Sequence, residues 1–353
     1  MTKEEAPVRH IFRWDLDKTY LRTEFDSMRD LIRTALQKPE EKINVPGADG
    51  LLRELTRHDE AGRSVLTFIS GSPEQMRRTL EQKFELDGVR PDAFILKPQL
   101  RLLLKGKFRA IRGQIGYKLD ALLRVRGMTP LGPETLFGDD AEQDAFIYSL
   151  YGDLVAERID VDTLAEILEA ANVYPDTRDL ILDRARTTPR QDTVTRIFIN
   201  LDRRSAPGRF LPFGPRVIPI TNYFQAALVL MRDRVLSPAG LVRMASGMVR
   251  TAGYGIPELA NSFQDMGRRG LLGAEVVEML DEARDGMADL EDVPRDFPER
   301  LLSRLRALSP RSDLPERDWE GPPDYLEILE ADREMREALE EKPSKRRSLN
   351  PFS

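Results

Sequence analysis

The sequence predicts an α/β protein built on a doubly wound parallel sheet with helices on both faces. Short apolar runs alternate with helical patterns along the chain, and polar residues directly follow several of these runs. Such alternation is typical of parallel sheets, because each crossover helix covers one face of the sheet. The predicted strands are residues 8–14, 64–69, 92–97, 134–137, 194–201 and 216–220.

Helical spacing of apolar residues fills the connections between these runs. We predict helices over residues 25–36, after Pro73, over residues 108–126 and after Asp140. A further helix begins at Asn222 and should pack on the sheet, because it is apolar.

Composition and pattern divide the chain into three parts. Residues 8–236 form the predicted α/β domain, in which residues 152–192 are a helical insertion. Residues 237–309 are predicted as a helical extension, and residues 310–353 as a charged, partly disordered tail. The segments between the predicted strands leave no room for a large folded lid. We therefore expect a small or absent cap and an open site.

Composition excludes several classes of function. The 353 residues contain no cysteine, which excludes disulfides and thiol catalysis and fits a reducing compartment. His10 and His58 are the only histidines, so a histidine-centred active site is disfavoured. A net charge of −6 argues against a nucleic-acid partner. The chain starts without a signal-peptide profile and has no apolar run of membrane-spanning length, so we expect a cytoplasmic protein.

The first predicted strand ends in Asp15-Leu16-Asp17-Lys18-Thr19. Alternation along a strand places Asp15 and Asp17 on the same face. Two carboxylates and the hydroxyl of Thr19 at one strand end suit a divalent cation and a phosphoryl group. An Asp-rich turn after an edge strand would give the same residues, so this motif alone decides nothing.

The second predicted strand runs into Ser70-Gly71-Ser72-Pro73. The serines offer hydroxyls, and Gly71 lets the backbone approach an anion closely. We expect Ser72 to cap the following helix and Pro73 to occupy its first position. A phosphate would meet hydroxyls and a helix N-terminus here, although an ordinary strand-to-helix turn would have the same sequence.

Lys118 lies within an apolar helical stripe that also contains Ile111, Ile115 and Leu122. A lysine is seldom fully buried without an anionic partner. Its ammonium group would suit a phosphate and an attacking carboxylate, unless the side chain extends to solvent from the edge of the stripe. Lys105 and Lys107 are alternative candidates near the start of the same helix.

The fourth predicted strand runs into Gly138-Asp139-Asp140 and an acidic helix start. The strand-end carboxylate of Asp139 could ligate a cation, and Asp144 could orient ligands or the lysine. Glu142 is sufficiently explained by the favourable interaction of acidic residues with a helix N-terminus.

These four elements, in this order, resemble the haloacid-dehalogenase-like phosphohydrolase superfamily, whose pattern is DxDxT, a strand-end Ser, Lys and GDxxxxD. Within it, the chain most resembles the catalytic domain of the actin-patch-associated phosphatidate phosphatase family. Ser-x-Ser-Pro at residues 70–73 and Gln-Asp-x-x-x-Tyr at residues 143–148 carry that likeness. Lys18 and Gly71 depart from the family pattern, which has an acidic residue and Asn there.

The resemblance implies a Rossmann-like α/β domain and a Mg²⁺-dependent phosphatase that acts through an aspartyl-phosphate. Asp15 would be the nucleophile, and Asp17 the general acid and base. Mg²⁺ would be held by Asp15, Asp139 and the main-chain carbonyl of Asp17, with Asp144 as a secondary acidic member. The phosphate would be bound by Thr19, Ser70, Gly71 and Lys118.

The resemblance also implies a substrate, which we expect to be phosphatidate or another lipid phosphomonoester at a membrane surface. A phosphoprotein, a soluble metabolite or a non-catalytic phosphate-binding role remain alternatives. Residues 203–216 contain four arginines besides Phe210, Leu211 and Phe213 and could dock on an anionic membrane. A stiff loop packed between two strands would have the same composition.

Overall fold

The computed structural model describes residues 7–23, 38–57, 62–97, 107–287, 289–309 and 321–340. Its centre is a six-stranded, entirely parallel sheet in the order β3-β2-β1-β4-β5-β6. The six predicted strands are confirmed. They are β1 (Val8–Trp14), β2 (Arg63–Pro73), β3 (Ala93–Lys97), β4 (Glu134–Asp139), β5 (Val194–Asn200) and β6 (Val217–Ile220).

The strand order places a topological switch between β1 and β4. The chain proceeds from β1 outward to β3, then returns to β4 on the other side of β1 and continues to β6. In sheets of this kind, ligands bind beyond the carboxyl ends of the strands at the switch point. Asp15 follows β1 and Asp139 ends β4, so both carboxylates lie at that place.

Helices cover both faces of the sheet, as the sequence predicts. They are α1 (Ala48–Leu55), α2 (Arg77–Leu86), α3 (Lys107–Arg126), α4 (Asp144–Val155), α5 (Val161–Ala170), α6 (Pro175–Thr187), α7 (Tyr223–Arg232), α8 (Pro238–Thr251), α9 (Ile256–Arg268), α10 (Glu275–Glu282), α11 (Phe297–Ala307) and α12 (Tyr325–Glu340). The predicted helix over residues 25–36 lies outside the described residues. No helix in the described ranges combines the length and apolar character needed to cross a bilayer.

Successive strand residues point to opposite faces of the sheet and belong to two separate hydrophobic cores. Trp14, Phe68 and Phe137 point to one face, where α1, α2 and α7 to α11 cover them. Leu136 and Ile197 point to the other face, beneath α3 to α6. This arrangement is the doubly wound architecture expected from the sequence.

A buried ionic network lies between β1, β4 and the end of α3. The guanidinium of Arg13 lies 2.5 Å from the carboxylate of Glu134, which Arg126 also contacts. Thr193 donates a further hydrogen bond of 2.8 Å to the same carboxylate. Burial alone would raise the pKa of Glu134, but the two arginines together bring it below its usual value.

The segments after residue 236 pack on the sheet domain. Side chains of α8, α9 and α11, among them Met244, Phe263 and Leu301, belong to the same hydrophobic core as Trp14. Residues 310–353 are predicted as a charged, partly disordered tail, whereas the structure has α12 within this part of the chain. This helix is fastened by Tyr325, whose hydroxyl donates to Asp153 at 2.5 Å and whose ring packs edge-on against Phe146.

Candidate active site

Asp15 and Lys118 form the centre of the site. Asp15 is buried just after β1, and its backbone N–H donates to the carbonyl of Phe137 in β4 at 2.9 Å. Lys118, on α3, is fully buried and does not extend to solvent. Its Nζ lies 2.8 Å from Oδ1 of Asp15. The helix therefore presents one ammonium group directly to the carboxylate expected to act as the nucleophile.

Four carboxylates converge beside this lysine. Oxygens of Asp15, Asp139, Glu142 and Asp144 all lie within 4.8 Å of one another. Glu142 lies in the turn before α4, and its carboxylate is 2.5 Å from Nζ of Lys118. The sequence analysis explained Glu142 by helix stabilisation alone and missed its place in this cluster.

Hydrogen bonds fix the turn that follows β4. Oδ1 of Asp139 accepts from the backbone N–H groups of Ala141 and Glu142, at 2.5 and 3.0 Å. Asp144 accepts from the backbone N–H of Asp139 at 3.1 Å and from Lys118 at 2.5 Å. Asp144 thus ties the lysine on α3 to the acidic turn, and it is this link that holds the cluster together.

The donor set fits a magnesium ion. Neither oxygen of Asp15 accepts a hydrogen bond of good geometry, and Oδ2 of Asp139 accepts none, although all three are buried. Buried carboxylate oxygens without donors are costly unless a cation satisfies them. An all-oxygen set is the one that Mg²⁺ prefers. Asp15 and Asp139 could hold the ion, with Glu142 or Asp144 beside them.

Asp17 points away from this cluster toward two serines. Its Oδ2 accepts from Oγ of Ser72 at 2.7 Å and from Oγ of Ser70 at 3.2 Å. The side chain of Asp17 is therefore separate from the group of candidate metal ligands. A role for its main-chain carbonyl stays a prediction.

Ser72 does not cap a helix, contrary to expectation. β2 continues to Pro73, and a 3₁₀ turn over Glu74–Met76 precedes α2. Because β2 stays extended through this segment, the Ser72 hydroxyl points to Asp17. The backbone N–H of Ser72 donates to Oγ of Ser70 at 3.0 Å, which orients the pair of serines.

Burial and neighbouring charges shift the pKa values of the carboxylates and of Lys118. Burial raises the pKa of Asp15 and of Asp139 well above the usual value, and neighbouring carboxylates add to the rise. Burial likewise raises the pKa of Asp144 to about 6, against the opposing effect of Lys118. Burial would lower the pKa of Lys118, but the surrounding carboxylates raise it well above its usual value. The lysine therefore stays charged.

The pKa of Asp17 is raised by burial as well. Burial favours its neutral form, and the hydrogen bonds from Ser72 and Ser70 offset only part of that effect. A carboxyl group that keeps its proton to higher pH is suited to protonating a leaving group.

Thr19 and Gly71, the other two predicted phosphate-binding residues, lie in the main-chain segments that follow β1 and end β2. Thr19 is buried in the turn after β1, and its carbonyl accepts from the hydroxyl of Tyr223 at 2.6 Å. Lys18 adopts a left-handed conformation with φ of 60°, and its carbonyl accepts from Asn200 at 2.7 Å. Gly71 lies in the extended end of β2, beside Ser70. Helix α7 and strand β5 thus hold the turn in position.

Two further lysines border the site and were missed. Burial lowers the pKa of Lys42, and attraction to Asp17 offsets part of this lowering. Burial lowers the pKa of Lys97 at the end of β3, with Glu142 opposing it. The position of Lys97 at the end of a strand could have identified it as a site residue. No sequence pattern around Lys42 indicates such a role. The alternative candidate Lys105 and the side chain of Lys107 lie outside the described residues.

The arginine-rich segment after β5 is a packed loop. Phe210 and Phe213 are buried, and Arg216 is buried 2.6 Å from Asp153. The carboxylate of Asp140 accepts from the backbone N–H groups of residues 203 and 205, at 2.8 and 3.0 Å. Leu211 alone of the three large apolar residues is exposed. Arg203, Arg204 and Arg209 are exposed as well, so the segment combines a packed aromatic side with an exposed cationic side. Docking of this segment on an anionic membrane stays a prediction.

Comparison with known proteins agrees with this geometry. Residues 14–161 match the model of the family described as phosphatidate phosphatase APP1, catalytic domain. This segment is therefore similar to the catalytic domain of that haloacid-dehalogenase-like family. The resemblance stated from the sequence is confirmed, and the protein is a phosphoric monoester hydrolase. Neither the curated proteins nor the solved structures gave a significant match.

The matched segment includes all four elements of the site. It begins at Trp14, directly before Asp15, and extends beyond Tyr148. β5, β6 and the helices from α6 onward follow it. The candidate catalytic groups therefore come from the matched segment, while the later segments supply contacts such as those of Asn200 and Tyr223.

Proposed function

We propose that this protein hydrolyses phosphomonoesters in a Mg²⁺-dependent reaction through an aspartyl-phosphate on Asp15. One observation carries the proposal: buried Asp15 has no hydrogen-bond donor of good geometry, yet faces Lys118 at 2.8 Å. A purely structural aspartate at this depth would be satisfied by hydrogen bonds. Asp15 instead has oxygens available for a metal ion and for a phosphorus atom.

The ion, when bound by Asp15 and Asp139, would supply positive charge to the phosphoryl oxygens and to the attacking carboxylate. Lys118 adds a fixed positive charge 2.8 Å from Asp15. Ser70 can donate to a phosphoryl oxygen, since its hydroxyl lies at the end of β2 next to Asp17. These groups orient the ester for attack in line with the leaving oxygen.

In the first step, an oxygen of Asp15 attacks phosphorus, and the bond between phosphorus and the leaving oxygen breaks. Asp17 gives its proton to that oxygen, so the alcohol leaves as a neutral molecule. The raised pKa of Asp17 favours the protonated form that this step needs. The hydrogen bond from Ser72 holds the carboxyl group in place while Ser70 donates to the phosphoryl oxygen.

In the second step, Asp17 is a carboxylate and accepts a proton from water. The water oxygen attacks the phosphorus of the aspartyl-phosphate, and the bond to Asp15 breaks. Inorganic phosphate leaves, while Asp15 returns as a carboxylate and Asp17 as an acid. One residue thus serves both half-reactions, as two-step hydrolysis requires.

For the substrate, we propose phosphatidate or another lipid phosphomonoester, supported by the description of the matching family. A phosphorylated protein or soluble metabolite is the second candidate, because the same chemistry would act on any accessible phosphomonoester. The departures at Lys18 and Gly71 lie next to the catalytic residues and leave the catalytic side chains in place.

A substrate screen tests this proposal. The purified full-length chain is assayed against phosphatidate in mixed micelles, sugar phosphates, nucleotides, phosphopeptides and an aryl phosphate, with Mg²⁺ and with chelator. We expect Mg²⁺-dependent release of phosphate, fastest from phosphatidate. Activity on soluble phosphates alone would overturn the lipid substrate, and release that survives chelation would overturn the metal-dependent mechanism.

A further inference from the structure

A hollow of about 180 Å³ lies beside the acidic turn, between α4, the 3₁₀ segment Pro207–Phe213 and α12. Most of its lining is apolar, including Phe146, Phe213, Ile328 and Met335. We call this hollow the apolar groove. One of its walls is formed by α12.

The apolar groove adjoins the acidic cluster at Glu142. Glu142 lines the groove and also lies 2.5 Å from Nζ of Lys118 in the acidic cluster. The groove and the acidic cluster are therefore neighbours, with Glu142 bordering both. A ligand that fills both must carry an anionic group at one end and an apolar group next to it.

The walls of the groove are fixed by long-range contacts. Tyr325 anchors the start of α12 to Asp153, and its ring contacts Phe146 on α4. At the rim, Arg209 forms an ion pair of 2.8 Å with Asp332. These contacts keep the groove formed without a ligand, so binding costs little ordering of the protein.

Apolar surface continues on the far side of the 3₁₀ segment. Phe210 and Pro212 line the apolar groove and also a second hollow of about 840 Å³, which Leu271 and Pro322 border. Leu211, between them, is 64% exposed. A long hydrocarbon chain would thus find apolar contacts well beyond the groove itself.

We propose that the apolar groove binds the acyl chain of a lipid phosphomonoester whose phosphate lies at Asp15. This inference rests on the proposed phosphatase function and extends it to a binding site for the apolar part of the substrate. Burial of methylene groups in the groove favours long chains, because each buried group adds a similar increment to binding. A soluble phosphate ester would gain nothing from this surface.

Two substitutions on α12 test the proposal in the full-length chain. Met335→Gln removes an apolar group from the lining, and Ala331→Phe fills the groove from an exposed position. Leu326→Gln is the matched control, since Leu326 is 43% exposed on the same helix, close to the 49% of Met335, but does not line the groove.

The measured quantity is kcat/KM for long-chain phosphatidate, short-chain phosphatidate and an aryl phosphate, with the lipids in detergent micelles. Both variants should lower the ratio of long-chain to aryl activity by about tenfold and flatten the preference for long chains. The Leu326 control should keep the wild-type ratio.

The results distinguish a failure of the acyl-chain site from a failure of the proposed phosphatase function. If wild-type protein hydrolyses phosphatidate and both groove variants keep its chain-length preference, the acyl site is wrong and the lipid phosphatase stands. If wild-type protein acts on the aryl phosphate and never on phosphatidate, the lipid substrate fails, and the acyl site fails with it. Equal losses on all three substrates would show that the groove is structural and would overturn the acyl site.

Discussion

A Cβ atom at residue 138 would lie 2.5 Å from Cβ of Asp144, closer than real Cβ contacts allow. Gly138 is therefore the residue that lets Asp144 approach the end of β4 and reach Lys118. The glycine of the acidic turn is needed for this close approach, since its φ is not in the left-handed region. The position of one carboxylate depends on the absence of one methyl group.

The first prediction concerns Gly138→Ala. The added methyl group should displace Asp144 and with it Lys118, and small displacements of catalytic groups commonly cost about 100-fold in rate. We expect a loss of about that size in kcat/KM. The control is Gly247→Ala on α8, where an added Cβ meets nothing within 4 Å. It should keep full activity and gain up to about 1 kcal/mol of stability. A fully active Gly138→Ala enzyme would show that Asp144 is dispensable.

The second prediction concerns the general acid. Asp17→Asn should lower kcat for an alkyl phosphate by about 10²–10⁴-fold, the usual contribution of a positioned acid. The loss should be much smaller for an aryl phosphate whose leaving group needs no proton. Steady-state kinetics with a series of leaving groups measures this difference. Equal losses across the series would mean that Asp17 only supports the turn.

The third prediction concerns the metal. Asp139→Ala removes a buried carboxylate whose Oδ2 accepts no hydrogen bond, so the Mg²⁺ concentration for half-maximal activity should rise at least about tenfold. Mg²⁺ should also raise the unfolding temperature of the wild-type protein, and less so that of the variant, because an ion that binds only the folded state stabilises it. Asp202→Ala is the control, since this acidic residue lies 3.8 Å from Lys18 and is not part of the carboxylate cluster. An unchanged Mg²⁺ dependence in Asp139→Ala would remove Asp139 from the ligand set.

The fourth prediction concerns stability and pH. Burial and Arg9 lower the pKa of His10 to about 4, and its Nε2 lies 2.8 Å from the hydroxyl of Thr135. In the unfolded chain, the pKa is about 6.5. The folded state therefore holds His10 neutral, and this contribution to stability is full above about pH 6.5 and is lost as pH falls toward about 4.

Chemical denaturation of the wild type and of His10→Gln at about pH 7.5 and about pH 5 tests this sign. The stability advantage of the wild type should shrink by about 2 kcal/mol between the two conditions. A constant difference would mean that His10 has the same pKa in both states, contrary to its buried position.

The sequence predicted what depends on local pattern. Apolar runs located all six strands, and the polar residues at their ends placed Asp15, Ser70 and Asp139 at one edge of the sheet. Glu142 was missed because an acidic residue before a helix has a sufficient local explanation. Ser72 was misassigned because Ser-Pro is a common helix start, and only the continued extension of β2 turns its hydroxyl to Asp17.

Contacts between residues far apart in the sequence could not be predicted from local pattern. The hydrogen bond from Tyr325 to Asp153 joins positions 172 residues apart and decides that α12 lies against the domain. A local charge pattern cannot show such a partner, so residues 310–353 were assigned to a tail. The burial of Arg216 beside Asp153 has the same origin, since it depends on where α4 lies relative to β6.

The most direct test of the mechanism is chemical trapping of the intermediate on Asp15. Wild-type protein is mixed with substrate and Mg²⁺, quenched in acid and treated with borohydride, which reduces an acyl phosphate to an alcohol. Peptide mass spectrometry should find this reduction at Asp15, only when substrate is present. Asp15→Asn should show no reduction and lose activity by far more than tenfold, which is about 1.4 kcal/mol of barrier, while its unfolding temperature stays near that of the wild type. Absence of any reduced aspartate in the wild type, together with activity of Asp15→Asn within about tenfold of it, would contradict covalent catalysis by Asp15.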